Sequence, residues 1–340
     1  MTTSERELTE AVDLCTDNGA SLNPEARGWS RRPLHRANLH GRFGANKRWD
    51  YWAILAGDLV VSSVYSDIDH LGLADVWWVD LTSGETGGRA IVTRPGAGIA
   101  LPEIPGTAPL AVTHDGFDLG ITDDATGTRL AATWTEPDGR VGRLDVMVAL
   151  PVGHESVNVV IPWSDELFNF TSKHQARPAV GALEVGERRW EIGGDAWGVL
   201  DVGRGRWPAH INWNWGGGAG RCGDHVIGLQ VGAKWTEGTS FTENGLIVDG
   251  RVSKLGLELE WEYDWDEPMR PWRVVDPGGQ LDAVLTPRFD KHSKVDVNPE
   301  RGSETHQVFG TWSGRLVTDD GITLEFDGLQ GFAEEARQRW

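Results

Sequence analysis

Along most of this chain apolar and polar residues change places every second position, the spacing of strands with one face buried. Residues 141–150 (VGRLDVMVAL) and 156–161 (SVNVVI) read as strands. Residues 251–263 read as one longer strand. Val252, Leu255, Leu257, Leu259, Trp261 and Tyr263 alternate with polar partners there, and a slip at Ser253-Lys254 predicts a bulge. Turn residues punctuate these runs at Pro137-Asp-Gly139, Asp249-Gly250, Pro277-Gly-Gly279 and Asp319-Asp-Gly321. No strand–helix–strand alternation is visible, which argues against a parallel α/β sheet. Many antiparallel strands without covering helices must close on themselves or stack, as barrels or sandwiches. Only residues 4–14 and 331–340 carry a pattern that predicts helix, one short helix near each terminus.

A length of 340 residues accommodates two domains. A polar stretch at Gln175-Ala-Arg-Pro178 places their boundary, giving units 1–177 and 178–340. Asp and Glu number 51 against 32 Lys and Arg, a formal net charge of −19. Such a surface repels nucleic acid and anionic lipid and favours solubility. Residues 21–54 nonetheless form a basic island with interleaved Trp29, Trp49 and Trp52. Its arginines are expected to pair with the abundant carboxylates rather than with phosphate. Two cysteines without metal spacing, no apolar signal core and no run of 18 apolar residues predict a cytoplasmic protein without membrane insertion, disulfide or metal.

Forty-four glycines suit tight turns. Eighteen tryptophans exceed what a core of this size needs and point to a cavity lined with indoles. The densest chemistry lies at 197–218, with Trp197, Asp201, Arg204, Arg206, Trp207, His210, Asn212, Trp213, Asn214 and Trp215. In a strand Asn212 and Asn214 share one face, Trp213 and Trp215 the other. An Asp201 walled by indoles would stay protonated and serve as a proton donor; paired with Arg204 it would be ionised and structural. Asn169-Phe-Thr-Ser-Lys173-His174, Glu243-Asn244 and His306-Gln307 are further polar clusters interrupting strand patterns. Lys173 and His174, like His306 and Gln307, point to opposite faces of a strand. Tyr65-Ser-Asp67-Ile-Asp69-His70 lacks the glycine and terminal glutamate of an EF-hand loop. Nucleophile-elbow, P-loop, zinc-protease and dinucleotide motifs are absent.

GWSRRPLHRANLHGRFGANKRWDYWAI, LFNFTSKH, LDVGRGRWP with NWNWGGGAG, FTENG and HQVFGTWSG, taken in order, resemble the DUF2804 family. That family is similar in outline to the two-domain calycin proteins that include carotenoid 1,2-hydratase and kievitone hydratase. The resemblance implies two lipocalin-like antiparallel β domains around a ligand cavity, and acid-initiated chemistry on a C=C bond without metal or organic cofactor. The expected function is therefore a hydratase, cyclase or isomerase acting on a small hydrophobic, isoprenoid- or polyketide-like molecule. Asp201, Arg204 and His210 would be its catalytic residues. Lys173, His174, Trp197, Trp207, Asn212, Trp213, Trp215, Glu243, Asn244, His306 and Gln307 would bind the ligand. A non-catalytic carrier of an apolar ligand and a carbohydrate-active enzyme with paired carboxylates are the alternatives.

Overall fold

The computed structural model describes residues 3–16, 18–95, 97–298 and 301–339. The lead-in holds three two-residue strands, β1 (Val12–Asp13), β2 (Trp29–Ser30) and β3 (His35–Arg36). A first sheet is built from β4 (Asn46–Ala56), β5 (Leu59–Asp67), β6 (Gly72–Asp80), β7 (Thr86–Thr93), β8 (Leu110–His114), β9 (Phe117–Asp124), β10 (Gly127–Thr135), β11 (Val141–Ala149), β12 (Val157–Pro162), β13 (Phe168–Val185), β14 (Arg188–Ile192) and β15 (Trp197–Arg206). The second contains β16 (His210–Cys222), β17 (His225–Ala233), β18 (Gly245–Val248), β19 (Arg251–Lys254), β20 (Glu260–Glu262), β21 (Trp272–Val275), β22 (Leu281–Asn298), β23 (Arg301–Val317) and β24 (Thr323–Arg339). The spatial orders are β7-β6-β5-β4-β15-β13-β11-β10-β9-β8, with β2, β12 and β14 at its side, and β19-β18-β17-β16-β24-β23-β22-β21-β20.

The first sheet curls into a nearly closed barrel and the second into half of one. Glu136, just past β10, draws the barrel's ends together. Its carboxylate accepts from Trp78 Nε1 on β6 at 2.8 Å, Trp134 Nε1 at 2.9 Å and the Gly88 amide on β7 at 2.9 Å. Side chains of alternate parity then face two different interiors. On β4, Trp52 and Ile54 point into the barrel with Trp78, Trp134 and Val202, while Ala53 and Leu55 point out. Those outward residues pack with Val60, Val79 and Val199 against Trp215, Phe309 and Phe332 of the second sheet. Both faces of the second half of β4, residues 51–56, are covered, so that stretch (YWAILA) reads as an unbroken apolar run rather than an alternation.

The expected turns are present: Gly139, Gly250, Gly279 and Gly321 all have positive φ, and Asp249-Gly250 is the two-residue loop of a hairpin pairing Val248 with Arg251. The terminal helices are not. Among the described residues the only helical turn is Pro24–Ala26, and no helix is long and apolar enough to cross a membrane. Residues 331–339 belong to β24, inserted between β16 and β23; Trp340, the end of the expected helix, lies outside the described residues. Residues 4–14 are held in extended form by pairing with the lead-in, as in the Glu7–Trp29 bridge and the Val12–His35 pair. Long-range ladder bonds override helix propensity in both segments. The single strand expected over 251–263 is two. Lys254 ends β19 by turning into a buried ion pair with Glu5 at 2.7 Å, and β20 resumes only at Glu260.

Gln175–Pro178, read as the domain boundary, falls inside β13 at a register shift where Ala176 has φ +57°. There β13 stops pairing with β12 and begins pairing with β11 and β14. The chain passes from the first sheet to the second between Arg206 and His210. In the basic island, Arg27 pairs with Asp165, Arg31 with Glu7 and Glu155, Arg36 with Asp13 and Glu103, Arg42 with Glu166, and Arg48 with Asp67 and Asp69.

Candidate active site

Beyond the apolar contact between the sheets the two faces separate around a cavity of about 400 Å³. Its walls are pairs of residues two apart on one strand, as side-chain alternation requires. Trp49 and Tyr51 come from β4; Asn169, Thr171 and Lys173 from β13; Trp213 and Trp215 from β16; Thr305 and Gln307 from β23; Lys291 and Ser293 from β22. Ser66 of β5, Asp201 of β15, Glu334 and Gln338 of β24, and Trp207, Trp235 and Glu243 from connecting segments complete the polar and aromatic lining.

One end holds a buried ion cluster. Lys173 Nζ lies 2.9 Å from Asp201 Oδ1 and 3.0 Å from Glu243 Oε2, and 4.3 Å above the Trp215 ring. Burial works against the Lys173 charge, but Asp201 and Glu243 outweigh it and hold its pKa above the ordinary lysine value. Burial pushes the Glu243 carboxyl up, and Lys173 offsets this in part. Both Asp201 oxygens accept further bonds, from Trp49 Nε1 and Thr171 Oγ1, each at 3.1 Å. Glu243 accepts from Trp235 Nε1 at 2.8 Å.

Two glycines make this packing possible. A Cβ on Gly203 would fall 2.0 Å from the Trp49 ring, and one on Gly232 would fall 2.1 Å from Glu243 Oε1. Glycine at these positions lets an indole and a carboxylate lie directly on the backbone.

The other notable carboxyl is Glu334, 7% exposed. Among the described residues its carboxyl receives one hydrogen bond, from Trp213 Nε1 at 2.7 Å. Burial raises its pKa to about 7, against the pull of that bond and of Lys173 and Lys291. Its neighbour Glu335 shows the opposite balance. On the other face of β24 it meets Arg337, Tyr263 and Lys234, which overcome burial and lower its pKa. Adjacent carboxyls pushed apart in this way separate a group able to give a proton from one fixed in structure.

The structure brings together Asp201, Lys173, Trp207, Trp213, Trp215, Glu243 and Gln307 among the residues expected from sequence. The remainder lie elsewhere. Arg204 points into the barrel and pairs with Asp50 at 2.7 Å, so it is not the partner of Asp201. His210 is exposed at the start of β16, and Asn212 is exposed on the parity opposite Trp213. His174 is buried on the far face of β13, bonded to Ser172 Oγ at 2.9 Å. Trp197 packs with Ala176 and Ala219. Asn244 accepts the Gly232 amide at 2.6 Å and so holds the Glu243 segment in place. His306 Nδ1 is hydrogen-bonded to Asp290 at 2.8 Å and its ring is stacked on His292. His292, Glu304 and His306 form the one group of potential metal ligands among the described residues, with ligand atoms within 4.8 Å of one another. Strand alternation places this group on the face opposite Thr305, Gln307 and the cavity. Sequence reasoning missed Trp49, Tyr51, Asn169, Trp235, Lys291 and Glu334 as lining residues. For Glu334 the available signal was the two-residue period Phe332, Glu334, Ala336, which helix propensity concealed.

The family described as Domain of unknown function (DUF2804) matches this sequence over residues 5–340. The chain belongs to DUF2804. No curated protein matches this DUF2804 chain in sequence. Among solved structures, kievitone hydratase from Nectria haematococca shares its fold with a TM-score of 0.51 and 11% identity, covering 100% of this chain and 98% of that one. CghA with Sch210972 has a TM-score of 0.45 and 11% identity, over 87% of this chain and 89% of that one. An AttH-like protein from Nitrosomonas europaea has a TM-score of 0.45 and 12% identity, over 87% and 93%.

Proposed function

We propose that the cavity binds a small hydrophobic molecule and that Glu334 protonates a C=C bond in it, making the protein a hydratase, cyclase or isomerase. The observation that carries this reading is a buried carboxyl bonded to an indole N–H in a cavity walled by five indoles, Trp49, Trp207, Trp213, Trp215 and Trp235. A pKa near 7 leaves Glu334 protonated often enough to act as an acid at neutral pH. The alkene π pair takes the proton and leaves a carbocation on the neighbouring carbon. Indole faces attract that cation, by up to ~2 kcal/mol where water is excluded. Water or a hydroxyl of the same molecule then adds through oxygen and returns a proton to Glu334, giving hydration or ring closure. Loss of a neighbouring C–H proton to the carboxylate gives an isomer instead. This assigns the donor role to Glu334 rather than Asp201, whose two oxygens already accept from Lys173, Trp49 and Thr171.

The test is deuterium uptake onto carbon from D₂O with a panel of isoprenoid- and polyketide-type alkenes. The native protein is expected to label its substrate. Glu334→Gln is expected to lower the rate roughly 10²-fold or more while retaining binding, read by tryptophan fluorescence. Undiminished labelling by Glu334→Gln would sink the assignment. Tight binding without any labelling across the panel would make the protein a carrier.

A further inference from the structure

Four of the five cavity indoles spend their N–H on the protein: Trp49 on Asp201, Trp213 on Glu334, Trp215 on Gln230 and Trp235 on Glu243. Trp207 does not. Its Nε1 is buried without a hydrogen-bond partner among the described residues, although its ring lies 5.2 Å from Trp235 and 5.4 Å from Trp49. Asn169 is the second exception. It is 0% exposed and lines the same cavity, yet neither Oδ1 nor Nδ2 has a protein partner.

Both line that one cavity. Asn169 sits opposite Gly205 across the β13–β15 ladder, and a Cβ on Gly205 would come 2.8 Å from Asn169 Oδ1. The amide therefore lies over Gly205, two residues before Trp207 along the chain. A leucine would fill this position without leaving polar atoms unbonded. A buried amide with both ends open needs a partner supplied from the cavity.

We infer that Asn169 and the Trp207 N–H form a polar anchor for a ligand presenting a carbonyl-type oxygen beside a hydroxyl free to donate outward, the pattern of an α-hydroxyketone. The inference rests on the reading of the cavity as a small-molecule site. The donor and acceptor count sets the class. Trp207 offers one N–H, and the amide offers N–H groups and one carbonyl oxygen whichever way it is turned. An acceptor oxygen on the ligand takes the N–H groups, and an adjacent hydroxyl donates to the amide oxygen. A pure hydrocarbon polyene would leave all of them unbonded, which selects a polyketide-like substrate over an unfunctionalised isoprenoid.

The test uses binding alone, so it is independent of Glu334 as an acid. Calorimetric titration compares benzoin, an α-hydroxyketone, with 1,2-diphenylethane, similar in shape but lacking both oxygens. The native protein is expected to prefer the hydroxyketone by about 10-fold or more, beyond any difference in solubility. Asn169→Leu, checked for folding by thermal melt, should bring the two within about 2-fold, and Trp207→Phe should cut the preference by roughly 5-fold. If Asn169→Leu does not fold, Trp207→Phe carries the comparison. Glu334→Gln should keep the preference intact. Equal affinity of the native protein for both probes, or a preference unchanged in the Asn169 and Trp207 variants, would overturn the anchor. Binding of neither probe would remove the cavity reading beneath it.

Discussion

Glu334 and Lys173 are each defined by the partners burial leaves them. The folded-state pKa of Glu334, about 7, lies above its ordinary value of 4.5. A raised carboxyl contributes stability that is complete below about pH 4.5 and is lost as pH rises through 7. Glu334→Gln is therefore expected to raise the melting temperature at pH 8 and to change it little at pH 5, measured by calorimetry in both buffers. Turnover should follow the same protonation, high below pH 7 and falling above it, because the acid form is the active one. A rate that climbs through pH 7 would contradict this. Lys173 has the reverse role. Removing its ammonium leaves Asp201 and Glu243 facing each other in a dry site, so Lys173→Met should cost about 3–5 kcal/mol in urea unfolding. Asp201→Asn leaves Lys173 its second carboxylate, Glu243, and is expected to destabilise less.

At the scale of elements, the site depends on strands whose backbones admit large side chains at van der Waals distance. Gly203→Ala places a methyl 2.0 Å from the Trp49 ring, which must swing away and give up its bond to Asp201. A loss of ~2 kcal/mol or more is expected, as for other overpacked positions. Adding Trp49→Phe should recover part of that loss, and strict additivity of the two changes would show that the clash is not the cause. The C-terminal strand makes the second point. β24 pairs with β16 on one side and β23 on the other, so it lies inside its sheet and supplies Glu334. Far-UV circular dichroism should show sheet without the helical double minimum, despite a terminal segment, FAEEARQRW, composed largely of helix-forming residues.

The whole molecule is two sheets that meet in more than one apolar cluster. Ala53, Leu55, Val60, Val79 and Val199 of the first meet Trp215, Phe309 and Phe332 of the second, and Gln175 Nε2 donates to Gln230 Oε1 across the same junction at 3.0 Å. The cavity continues that contact, so neither sheet holds a complete site. Urea unfolding is expected to give one cooperative transition, with tryptophan fluorescence and circular dichroism coincident. Two resolved transitions would show that the sheets are stable apart.

The all-β class, the turns and the indole-rich cavity were legible in the sequence because they follow from local periodicity and composition. Parity was legible too: Lys173 against His174, Trp213 against Asn212, and Gln307 against His306 point to opposite faces in any strand. Which face holds the cavity was not, because the cavity face of these strands carries polar and charged residues as the outer face does, and hydrophobicity no longer distinguishes inside from outside. Tertiary packing decided that odd-numbered residues of β4, β13, β15, β16, β22 and β23 face the cavity. It also set Arg204 against Asp50, made a strand of residues 331–339 and kept residues 4–14 from forming a helix. Glu334 became a candidate acid only once β24 was placed between β16 and β23, where burial, a property of the fold, raises a carboxyl that is ordinary in isolation.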